Sequence, residues 1–571
     1  MRVPYSVVTL DQLFSACSNK EPLFVDTETI GFYGEVRSLQ AFQESWDEVL
    51  IAEWPDPMLT AAKLACLHQV WYNAHYDITT LQQQTETRFI PRKVDCCFLL
   101  SRLHYADKPA FSLDSVLEYA LGYDPYRKQG LDKKVLQKSD WKSKKLTNDQ
   151  LTYAATDVYY MPDIWDQCEY KREDVSYKLD MHTLFYCLDF QWNGMPVDDQ
   201  KLFTMYEEIE EEINNTDMPI NVNSYKKVRE YIGSDKSDDL GLAELALNGN
   251  ERAKSVRRIR KLTKQISFLN KFENGDGVIL GKFKPSARSG RLTSNDQNLQ
   301  QIPRATKRVF GYPEDAGKVL IYADYAQVEL RTIAAITNCV KMIQLFREGV
   351  DLHGYTAQHF FGEGWGKHER QIAKTYNFNL VYGGGIAMMQ AILLKDLNIF
   401  ESESNVAKAK KKWQNMWREI AQWQQKGIAN WRKNKLGSTP LGRQYAAKMM
   451  TDQLNIENQG AAAEVAKFAL HYFYPNLHEE VVLNDFIHDS FILSAPNDPA
   501  IYEPAAKFLA ECMQEAWFEM SKLFQITDVP MPVNVKVGYN WADIEDDDVE
   551  DIWSYDLEPY EMLEKVNANS N

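Results

Sequence analysis

The order of apolar and polar positions along the chain predicts a mixture of short buried strands and long amphipathic helices. Within Ser255–Phe272, apolar residues recur every three or four positions, as one face of a helix requires. Pro22–Val25 and Val319–Ala323 are short apolar runs, which are typical of buried strands. A further helix is predicted over Asn148–Trp165, and the three glycines at 383–385 are expected to end another. The pattern predicts an α/β fold.

Length and composition indicate a multidomain chain. A single hydrophobic core stops growing at roughly 250–300 residues, whereas this chain has 571 residues, 44% of them hydrophobic. The polar stretch at 167–174 is the expected boundary between a first domain at 1–170 and a second at 171–571. The eight cysteines include no CxxC pair, which favours reduced thiols and a cytoplasmic location. We find no apolar run of the ~18 residues that a membrane span needs, so no membrane partner is expected.

The distribution of charge matters more than its total. The formal net charge is −17, which by itself argues against a nucleic-acid partner. However, residues 543–571 contain eleven acids and one base, and Arg252–Lys271 contains eight basic residues and no acid. Four of those bases lie off the apolar stripe of the predicted helix, where they either bind DNA phosphates or form an ordinary solvated face. The four are Arg257, Arg258, Lys261 and Lys264.

Carboxylates in the first domain have the pattern of a metal site. Asp26 and Glu28 lie two positions apart after a predicted strand, so both side chains point to one face. Asp77 and Asp157 can complete a four-carboxylate site, and Tyr153 lies one helical turn before Asp157. Clustered carboxylates repel one another unless a cation is present, and oxygen ligands suit Mg²⁺ or Mn²⁺. Taken singly, each acid is equally well interpreted as a helix cap or a surface residue.

The order of these residues resembles a known group of nucleases. DxE at 26–28, NxxxD at 73–77 and YxxxD at 153–157 resemble the three exonuclease motifs of the DnaQ-like, RNase H-like proofreading nucleases. The resemblance implies hydrolysis of a 3′-terminal phosphodiester with two metal ions. It also implies that Tyr153 orients the nucleophile. The implied metal ligands are Asp26, Glu28, Asp77 and Asp157.

The second domain contains two strand-end carboxylates and a stripe that suits a nucleotide. Asp324 closes the strand predicted at Val319–Ala323, and Asp489 lies between two apolar runs that predict a hairpin. Two cations and two aromatic residues, spaced four positions apart, form a stripe along nearly one face of a predicted helix. The cations suit the phosphates of a nucleotide, and the aromatic rings suit its base and sugar. Without that context, a turn aspartate and an aromatic packing edge are the simpler interpretations. The stripe consists of Arg370, Lys374, Phe378 and Tyr382.

These segments, in this order, resemble the family A DNA polymerases. Residues 323–331 resemble motif A, 370–383 resemble motif B, and 488–490 resemble motif C. The polar segment at 289–303 resembles the primer–template binding segment, and 455–460 resembles a template-contacting helix. Each motif alone is moderately specific, whereas their ordered conjunction over nearly the whole chain is very specific.

The resemblance implies an RNase H-like exonuclease domain followed by a right-hand polymerase domain. Its expected parts are a thumb at about 200–275, a palm with an antiparallel sheet at about 276–350 and 440–542, and helical fingers at about 351–439. Two Mg²⁺ ions, or Mn²⁺ in their place, are expected in each active site. Substrates are expected to be dNTPs and primer–template DNA.

The resemblance also assigns residues to roles in the second domain. The expected metal ligands are Asp324, Asp489 and the Tyr325 carbonyl, and the two aspartates are also expected to be catalytic, as is Lys374. The residues expected to bind the incoming nucleotide are Gln327, Glu329, His353, Arg370, Lys374, Phe378 and Tyr382. The residues expected to bind DNA are Arg291, Asn298, Gln300, Asn455, Gln459 and His488.

One departure and two alternatives bear on this interpretation. Motif C usually reads His-Asp-Glu, whereas this chain has Ser490. A single-subunit RNA polymerase is the alternative enzyme, but Glu329 argues against it, because in the family this position crowds the ribose 2′-hydroxyl. A DNA-binding scaffold with decayed sites is the non-enzymatic alternative, and the six carboxylates argue against it. The chain begins almost at the exonuclease motifs, which predicts a phage replicative enzyme acting in the host cytoplasm.

The acidic tail at 543–571 offers two interpretations. Aromatic and apolar residues stand among its carboxylates, as in a peptide that docks on a replication partner. A disordered solubilising tail explains the same composition more simply. The residues concerned are Trp553, Tyr555, Leu557, Tyr560 and Leu563.

Overall fold

A computed structural model describes residues 2–272, 277–295, 297–523, 529–545 and 553–555. The chain divides into two compact units. The first consists of Met1–Trp192, Phe283–Thr293 and Leu441–Ala446. The second consists of Asn193–Lys282, Ser294–Pro440 and Ala447–Asn571.

The elements of the leading segment alternate between strands and helices. The strands are β1 (Tyr5–Val8), β2 (Leu23–Thr29), β3 (Val36–Phe42), β4 (Val49–Glu53), β5 (His68–Trp71) and β6 (Lys93–Cys96). The helices are α1 (Leu10–Ala16), α2 (Pro57–Leu64), α3 (Ala74–Thr85), α4 (Cys97–His104), α5 (Leu113–Leu121), α6 (Pro125–Lys128), α7 (Lys133–Gln137), α8 (Asn148–Tyr159), α9 (Met161–Cys168) and α10 (Val175–Phe190).

One mixed sheet forms the centre of the first unit. Its strand order is β1-β4-β3-β2-β5-β6, with β3 antiparallel to both β2 and β4 and the other pairs parallel. The predicted strand at Pro22–Val25 is longer than expected, because β2 continues through Asp26 and Glu28 to Thr29. The two acids therefore lie within the strand rather than after it.

Two sequence expectations about this unit need correction or extension. The single helix predicted over Asn148–Trp165 is wrong: α8 ends at Tyr159, and α9 begins at Met161 with Pro162 in its first turn, where the missing N–H costs no hydrogen bond. The unit also continues past residue 170, because α10 packs on its core. There, the Tyr177 hydroxyl on α10 donates to Asp95 at 2.7 Å.

The remaining elements follow in chain order. The strands are β7 (Met195–Pro196), β8 (Val278–Ile279), β9 (Lys282–Lys284), β10 (Thr293–Asn295), β11 (Lys318–Tyr325), β12 (Leu436–Ser438), β13 (Gln444–Ala446), β14 (Val482–Ile487), β15 (Ser490–Pro496), β16 (Val533–Gly538) and β17 (Trp553–Tyr555). The helices are α11 (Asp199–Asn215), α12 (Tyr225–Ile232), α13 (Asp239–Leu247), α14 (Glu251–Leu269), α15 (Val328–Thr337), α16 (Val340–Arg347), α17 (Leu352–Phe361), α18 (Lys367–Val381), α19 (Ile386–Leu397), α20 (Glu403–Met416), α21 (Arg418–Asn434), α22 (Met450–Phe473), α23 (Pro499–Leu523) and α24 (Trp541–Glu545).

The second unit is built on a five-stranded antiparallel sheet. Its order is β14-β15-β11-β16-β17, and α23 packs against β11, β15 and β16. The central strand β11 is buried along most of its length, as the apolar run at Val319–Ala323 predicted. The helix predicted at Ser255–Phe272 is present as α14, which begins earlier because Asn250 caps it. Gly383, with φ of +73°, follows the end of α18 as expected.

The acidic tail is described only in part. β17 pairs antiparallel with β16, and Tyr555 lies opposite Val533. Leu557, Tyr560 and Leu563 lie outside the described residues. Among the helices that the structure describes, none has the length and apolarity needed to cross a membrane.

Candidate active sites

The first candidate site is a cluster of carboxylates on β2 and α8. Asp26 and Glu28 occupy alternate positions of β2, so they share a face of the sheet, and α8 brings Asp157 to them. One oxygen from each of the three carboxylates lies within 4.8 Å of the others. The structure therefore brings Asp26, Glu28 and Asp157 together in one cluster. Three oxygen ligands at this separation fit a divalent cation.

Asp77, the fourth predicted ligand, lies beside the cluster and faces Thr27. Its Oδ1 accepts hydrogen bonds from the Thr27 hydroxyl at 2.7 Å and from the Thr27 amide at 3.2 Å. Its carboxylate contributes to the electrostatic field at Asp26 and Glu28 but is not one of the three that converge within 4.8 Å. Asp77 therefore ties α3 to the strand that carries the other acids.

The electrostatics of this cluster favour a bound cation. Burial raises the pKa of Asp26 and Glu28 well above the usual range, and the neighbouring carboxylates raise both further. Burial also raises the pKa of Asp77 to about 7, although the hydrogen bonds from Thr27 oppose that change. Crowded, buried negative charges are costly, and a divalent cation offsets that cost.

Two residues of this site had no signal in the sequence patterns. The buried Tyr126 hydroxyl donates to Asp157 Oδ1, and Tyr153 also hydrogen-bonds to this carboxylate. Lys133 Nζ lies 3.3 Å from the Tyr126 hydroxyl and 3.7 Å from Asp114 Oδ1. Its positive charge lowers the pKa of Asp157 and Glu28, in opposition to burial. In the sequence, Lys133 is one of two lysines in the short helix α7, which resembles an ordinary solvated face.

The second candidate site is organised by the register of the central sheet. Asp324 on β11 lies opposite Ser490 on β15, and Ser490 directly follows Asp489 in the β14–β15 turn. The register therefore brings the two predicted metal-binding aspartates to one edge of the sheet. His488 in that turn has φ of +57°, an uncommon backbone conformation for a residue other than glycine. Tyr325 is anchored beside Asp324, because its buried hydroxyl donates to the Met513 carbonyl at 2.7 Å.

A cavity of about 360 Å³ opens beside Asp324. Lys374 from α18 lines this cavity, as its predicted contact with the phosphates requires. Three further cations and Glu545 complete the charged lining, so the cavity presents both acids and bases. Such a lining fits a polyphosphate that carries divalent cations. The additional cations are Arg304, Lys307 and Lys536.

Arg370 and His353 are held by contacts within the second unit. The Arg370 Nε and Nη2 contact the two oxygens of Asp351 at 2.6 and 3.1 Å, and Asp351 also caps α17. The His353 ring is 2% exposed, lies 3.0 Å from the Asn377 amide nitrogen and packs near the Phe378 ring. Burial lowers the pKa of His353 to about 4, so the imidazole is neutral at physiological pH.

Glu329 and Tyr382 form a network with a residue that the motifs did not single out. The Tyr382 hydroxyl donates to the Glu329 carboxylate. Asn458 Nδ2 donates to the Glu329 carbonyl at 2.9 Å and lies 3.3 Å from the Tyr382 oxygen. Its Oδ1 accepts from Thr332 at 2.6 Å, and Asn458 is fully buried. Asn458 therefore holds the two predicted nucleotide-binding residues at a fixed distance.

Several predicted ligand-binding residues have polar atoms without a partner inside the described residues. The side-chain oxygens of Asn298, Gln327 and Asn455 are buried there and accept no hydrogen bond. Gln327 also has φ of +54°. Buried, unsatisfied acceptors are costly, so their occurrence at three predicted positions fits a site that a ligand completes. By contrast, Gln300 already donates to the Phe486 carbonyl at 2.9 Å.

The basic face of α14 is less purely cationic than the sequence suggested. Arg258 makes a bidentate ion pair with Glu212 of α11, at 2.6 Å for each contact. Arg257 contacts Asp239 of α13 at 3.1 Å. Lys261 and Lys264 are exposed. The absence of acids from Arg252 to Lys271 is thus compensated by acids from neighbouring helices, and a DNA-binding role for this face stays a prediction.

Two family models match this chain. The model of DNA polymerase family A matches residues 199–543, and the model of a 3′–5′ exonuclease domain matches residues 1–173. This chain belongs to DNA polymerase family A. It is a DNA-directed DNA polymerase with a 3′–5′ exonuclease domain, and the predicted order of an exonuclease domain followed by a polymerase domain is confirmed.

Curated relatives and a solved structure agree with this assignment. DNA polymerase I of Aquifex aeolicus (strain VF5) is 26% identical over 77% of this chain and 85% of its own length. Thermostable DNA polymerase I of Thermus thermophilus is 31% identical over 46% of this chain and 32% of its own length. The POL domain of Pol1 from M. smegmatis, in complex with DNA primer-template and dNTP, covers 95% of this chain and 100% of its own, with a TM-score of 0.74 and 18% identity. At that identity the likeness supports the fold alone.

Removing the charge of Asp77 should reveal the electrostatic cost of the first cluster. A raised pKa means that folding favours the protonated acid, so its contribution to stability falls as pH rises from about 4 towards 7. In EDTA at pH 8, Asp77→Asn should raise the melting temperature by about 3 °C, because the amide oxygen still accepts from Thr27. The gain should vanish near pH 4. A gain of equal size at both pH values would contradict this electrostatic account.

Removing the Tyr126 hydroxyl should slow excision and spare synthesis. Tyr126→Phe deprives Asp157 of a charge-assisted hydrogen bond, so kcat for removal of a 3′-terminal nucleotide should fall about tenfold. Tyr105→Phe is the matched control, because it removes a hydroxyl that donates to Gln167, outside the cluster. Labelled single-stranded DNA measures excision, and primer extension measures synthesis. An equal loss in both variants would refute the assignment of Tyr126 to the site.

Proposed function

We propose that the second unit extends a DNA primer by template-directed nucleotidyl transfer from dNTPs, and that the first unit removes mismatched 3′-terminal nucleotides. The observation that carries this proposal is the strand register that sets Asp324 opposite Ser490, next to Asp489, at a cavity that Lys374 also lines. The carboxylate cluster of Asp26, Glu28 and Asp157 supports the excision half.

In the synthetic site, Mg²⁺ held by Asp324, Asp489 and the Tyr325 carbonyl would activate the primer 3′-hydroxyl and neutralise charge on the triphosphate. Lys374 lies at the cavity, where its ammonium stabilises the negative charge that develops during transfer. Arg370 is oriented by Asp351 through Nε and Nη2, so Nη1 is the nitrogen that meets a phosphate oxygen. The contacts among Tyr382, Glu329 and Asn458 fix the wall beside the sugar.

In the excision site, Mg²⁺ held by Asp26, Glu28, Asp157 and Asp77 would activate water and stabilise the leaving oxygen. Tyr153 and Tyr126 hold the Asp157 carboxylate by hydrogen bonds. An aromatic surface follows the carboxylates on β2: Phe32 is 71% exposed, and its ring lies 4.4 Å from that of Tyr33. Stacking on exposed rings is a common way to hold unpaired bases, which supports a single-stranded substrate.

The proposal extends to the biological setting. Replication of DNA with proofreading suits the two activities, and a cytoplasmic setting is part of this proposal. The curated relatives named above are bacterial, so they lend no weight to the phage origin that the domain content predicted. Docking of a replication partner on the acidic tail also stays a proposal, since most of that tail lies outside the described residues. Mn²⁺ is expected to replace Mg²⁺ because both prefer oxygen ligands.

The two activities should be separable by substitution. Asp324→Asn should abolish Mg²⁺-dependent extension of a labelled primer–template while leaving excision intact. Asp26→Ala combined with Glu28→Ala should do the reverse, because these acids lie in the other unit. Both variants should melt within a few degrees of the unchanged protein. Simultaneous loss of both activities in either variant would overturn the assignment of one activity to each unit.

Glu329 is expected to discriminate against ribonucleotides. Glu329→Ala opens space beside the sugar, so the ratio of kcat/KM for rNTP over dNTP should rise on the order of tenfold or more. Tyr382→Phe is the matched control, because it removes the hydrogen bond to Glu329 but keeps the carboxylate. Single-nucleotide incorporation with both sugars measures the ratio. An unchanged ratio in Glu329→Ala would remove the steric role of this side chain.

A further inference from the structure

A second cluster of charged residues in the first unit has no role in the chemistry described above. Four cations and two aromatic rings from distant parts of the chain line one small cavity of about 10 Å³. α4 and the turn after it supply three of them, and the segments Phe283–Thr293 and Leu441–Ala446 supply the others. We call this the arginine pocket. It consists of Arg102, Lys108, Phe111, Arg288, Arg443 and Tyr445.

The arginine pocket contains more positive than negative charge. Arg443 is nearly fully buried and pairs with the buried Asp180 at 2.6 Å. Lys108 lies 3.3 Å from the exposed Asp107. Arg102 and Arg288 pair with no carboxylate among the described residues: Arg102 donates to the Ser286 carbonyl, and Arg288 reaches the carbonyls of Ala446 and Pro109 at 3.4 Å each. Two guanidinium charges are therefore left without an anion.

These cations lie close enough to oppose one another's positive charge. The pKa of Arg102 is lowered to about 10, first by burial and then by the charges of Arg443 and Arg288, while Asp180 acts in the opposite direction. Lys284, on the same segment as Arg288, is also close enough for Arg102 to lower its pKa. Buried like charges of this kind are costly unless an anion joins them. Guanidinium groups bind phosphate oxygens well, because their planar fork can make two parallel hydrogen bonds to one phosphate group.

We propose that the arginine pocket binds a backbone phosphodiester of single-stranded DNA whose 3′ end occupies the excision site. The cavity admits one oxygen-sized group, as a non-bridging phosphate oxygen requires. The Phe111 ring lies 5.8 Å from the Arg102 guanidinium, so an aromatic face accompanies the cations. A basic site with aromatic neighbours is the combination that binds single strands without sequence preference.

The pocket is connected to the carboxylate cluster through the chain itself. The Tyr72 hydroxyl donates to the Phe111 carbonyl at 2.7 Å. Tyr72 lies just before α3, the helix that carries Asp77. Phe98 of α4 packs on the Tyr72 ring, with 6.3 Å between the ring centroids. A phosphate bound in the pocket is therefore expected to help position the single-stranded DNA, without contacting the phosphodiester bond that is cut. This inference rests on the proposed excision activity.

Binding and excision of single-stranded DNA by the full chain test the proposal. Arg288→Gln should weaken binding of a labelled oligothymidylate in EDTA about tenfold and reduce the slope of log affinity against log salt by about 0.7. KM for excision in Mg²⁺ should rise while kcat is unchanged. Arg92→Gln, an equal change of charge at an exposed position of the same unit, should change neither quantity.

A second substrate and a second pair of variants separate the outcomes. Hydrolysis of the p-nitrophenyl ester of thymidine 5′-monophosphate should be unaffected by Arg288→Gln, because this ester has no upstream phosphodiester. Arg288→Lys should restore the salt slope, and Lys108→Gln tests the pocket if Arg288→Gln fails to fold. Competition by inorganic phosphate or dTMP as strong as that by the oligonucleotide would mean a mononucleotide site and would overturn the proposal. So would unchanged oligonucleotide binding in both charge-removing variants. If the protein without any substitution removes no 3′-terminal nucleotide, the proposed excision function itself is refuted.

Discussion

The crowding of negative charge is the constraint on which both active sites depend. Asp26, Glu28 and Asp157 place oxygens within 4.8 Å of one another in an environment that raises their pKa values. No arrangement of side chains alone makes such a cluster favourable, so the surrounding fold must hold the acids in place until a cation neutralises them. The alternation of side chains along β2 places Asp26 and Glu28 on one face of the sheet, and the helix α8 holds Asp157 beside them.

In the polymerase site, the register of two antiparallel strands holds the acids close together. Asp324 and the turn that carries Asp489 come together only because β11 and β15 pair with Asp324 opposite Ser490. A slip of one residue would move Asp324 to the other face of the sheet. Backbone strain lies close by, since Gln327 and His488 both have positive φ. Strained residues that the surrounding structure holds in place are typical of sites where a ligand is positioned.

Local patterns in the sequence predicted the parts of these sites that depend on one element, and missed those that depend on several. The shared face of Asp26 and Glu28 follows from strand geometry, and the closeness of Tyr153 to Asp157 follows from one helical turn. Tyr126 reaches Asp157 across 31 positions of the chain, and Asn458 joins Glu329 to Tyr382 across more than 70. Such contacts have no period in the sequence. The same reason explains why the acids that pair with α14 were not foreseen, because they come from α11 and α13.

The serine at position 490 is explained by its neighbours rather than by loss of function. Ser490 is 4% exposed, its hydroxyl donates to the Ile487 carbonyl at 3.1 Å, and Tyr322 from the adjacent strand hydrogen-bonds to it. A glutamate there would have to displace the Tyr322 hydroxyl and would add a third negative charge beside Asp324 and Asp489. Glu545 lines the same cavity but is ion-paired with Lys307 at 2.5 Å, so it adds no net charge. The site therefore keeps the two aspartates that we propose as metal ligands and fills the third position with a neutral hydrogen-bonded pair.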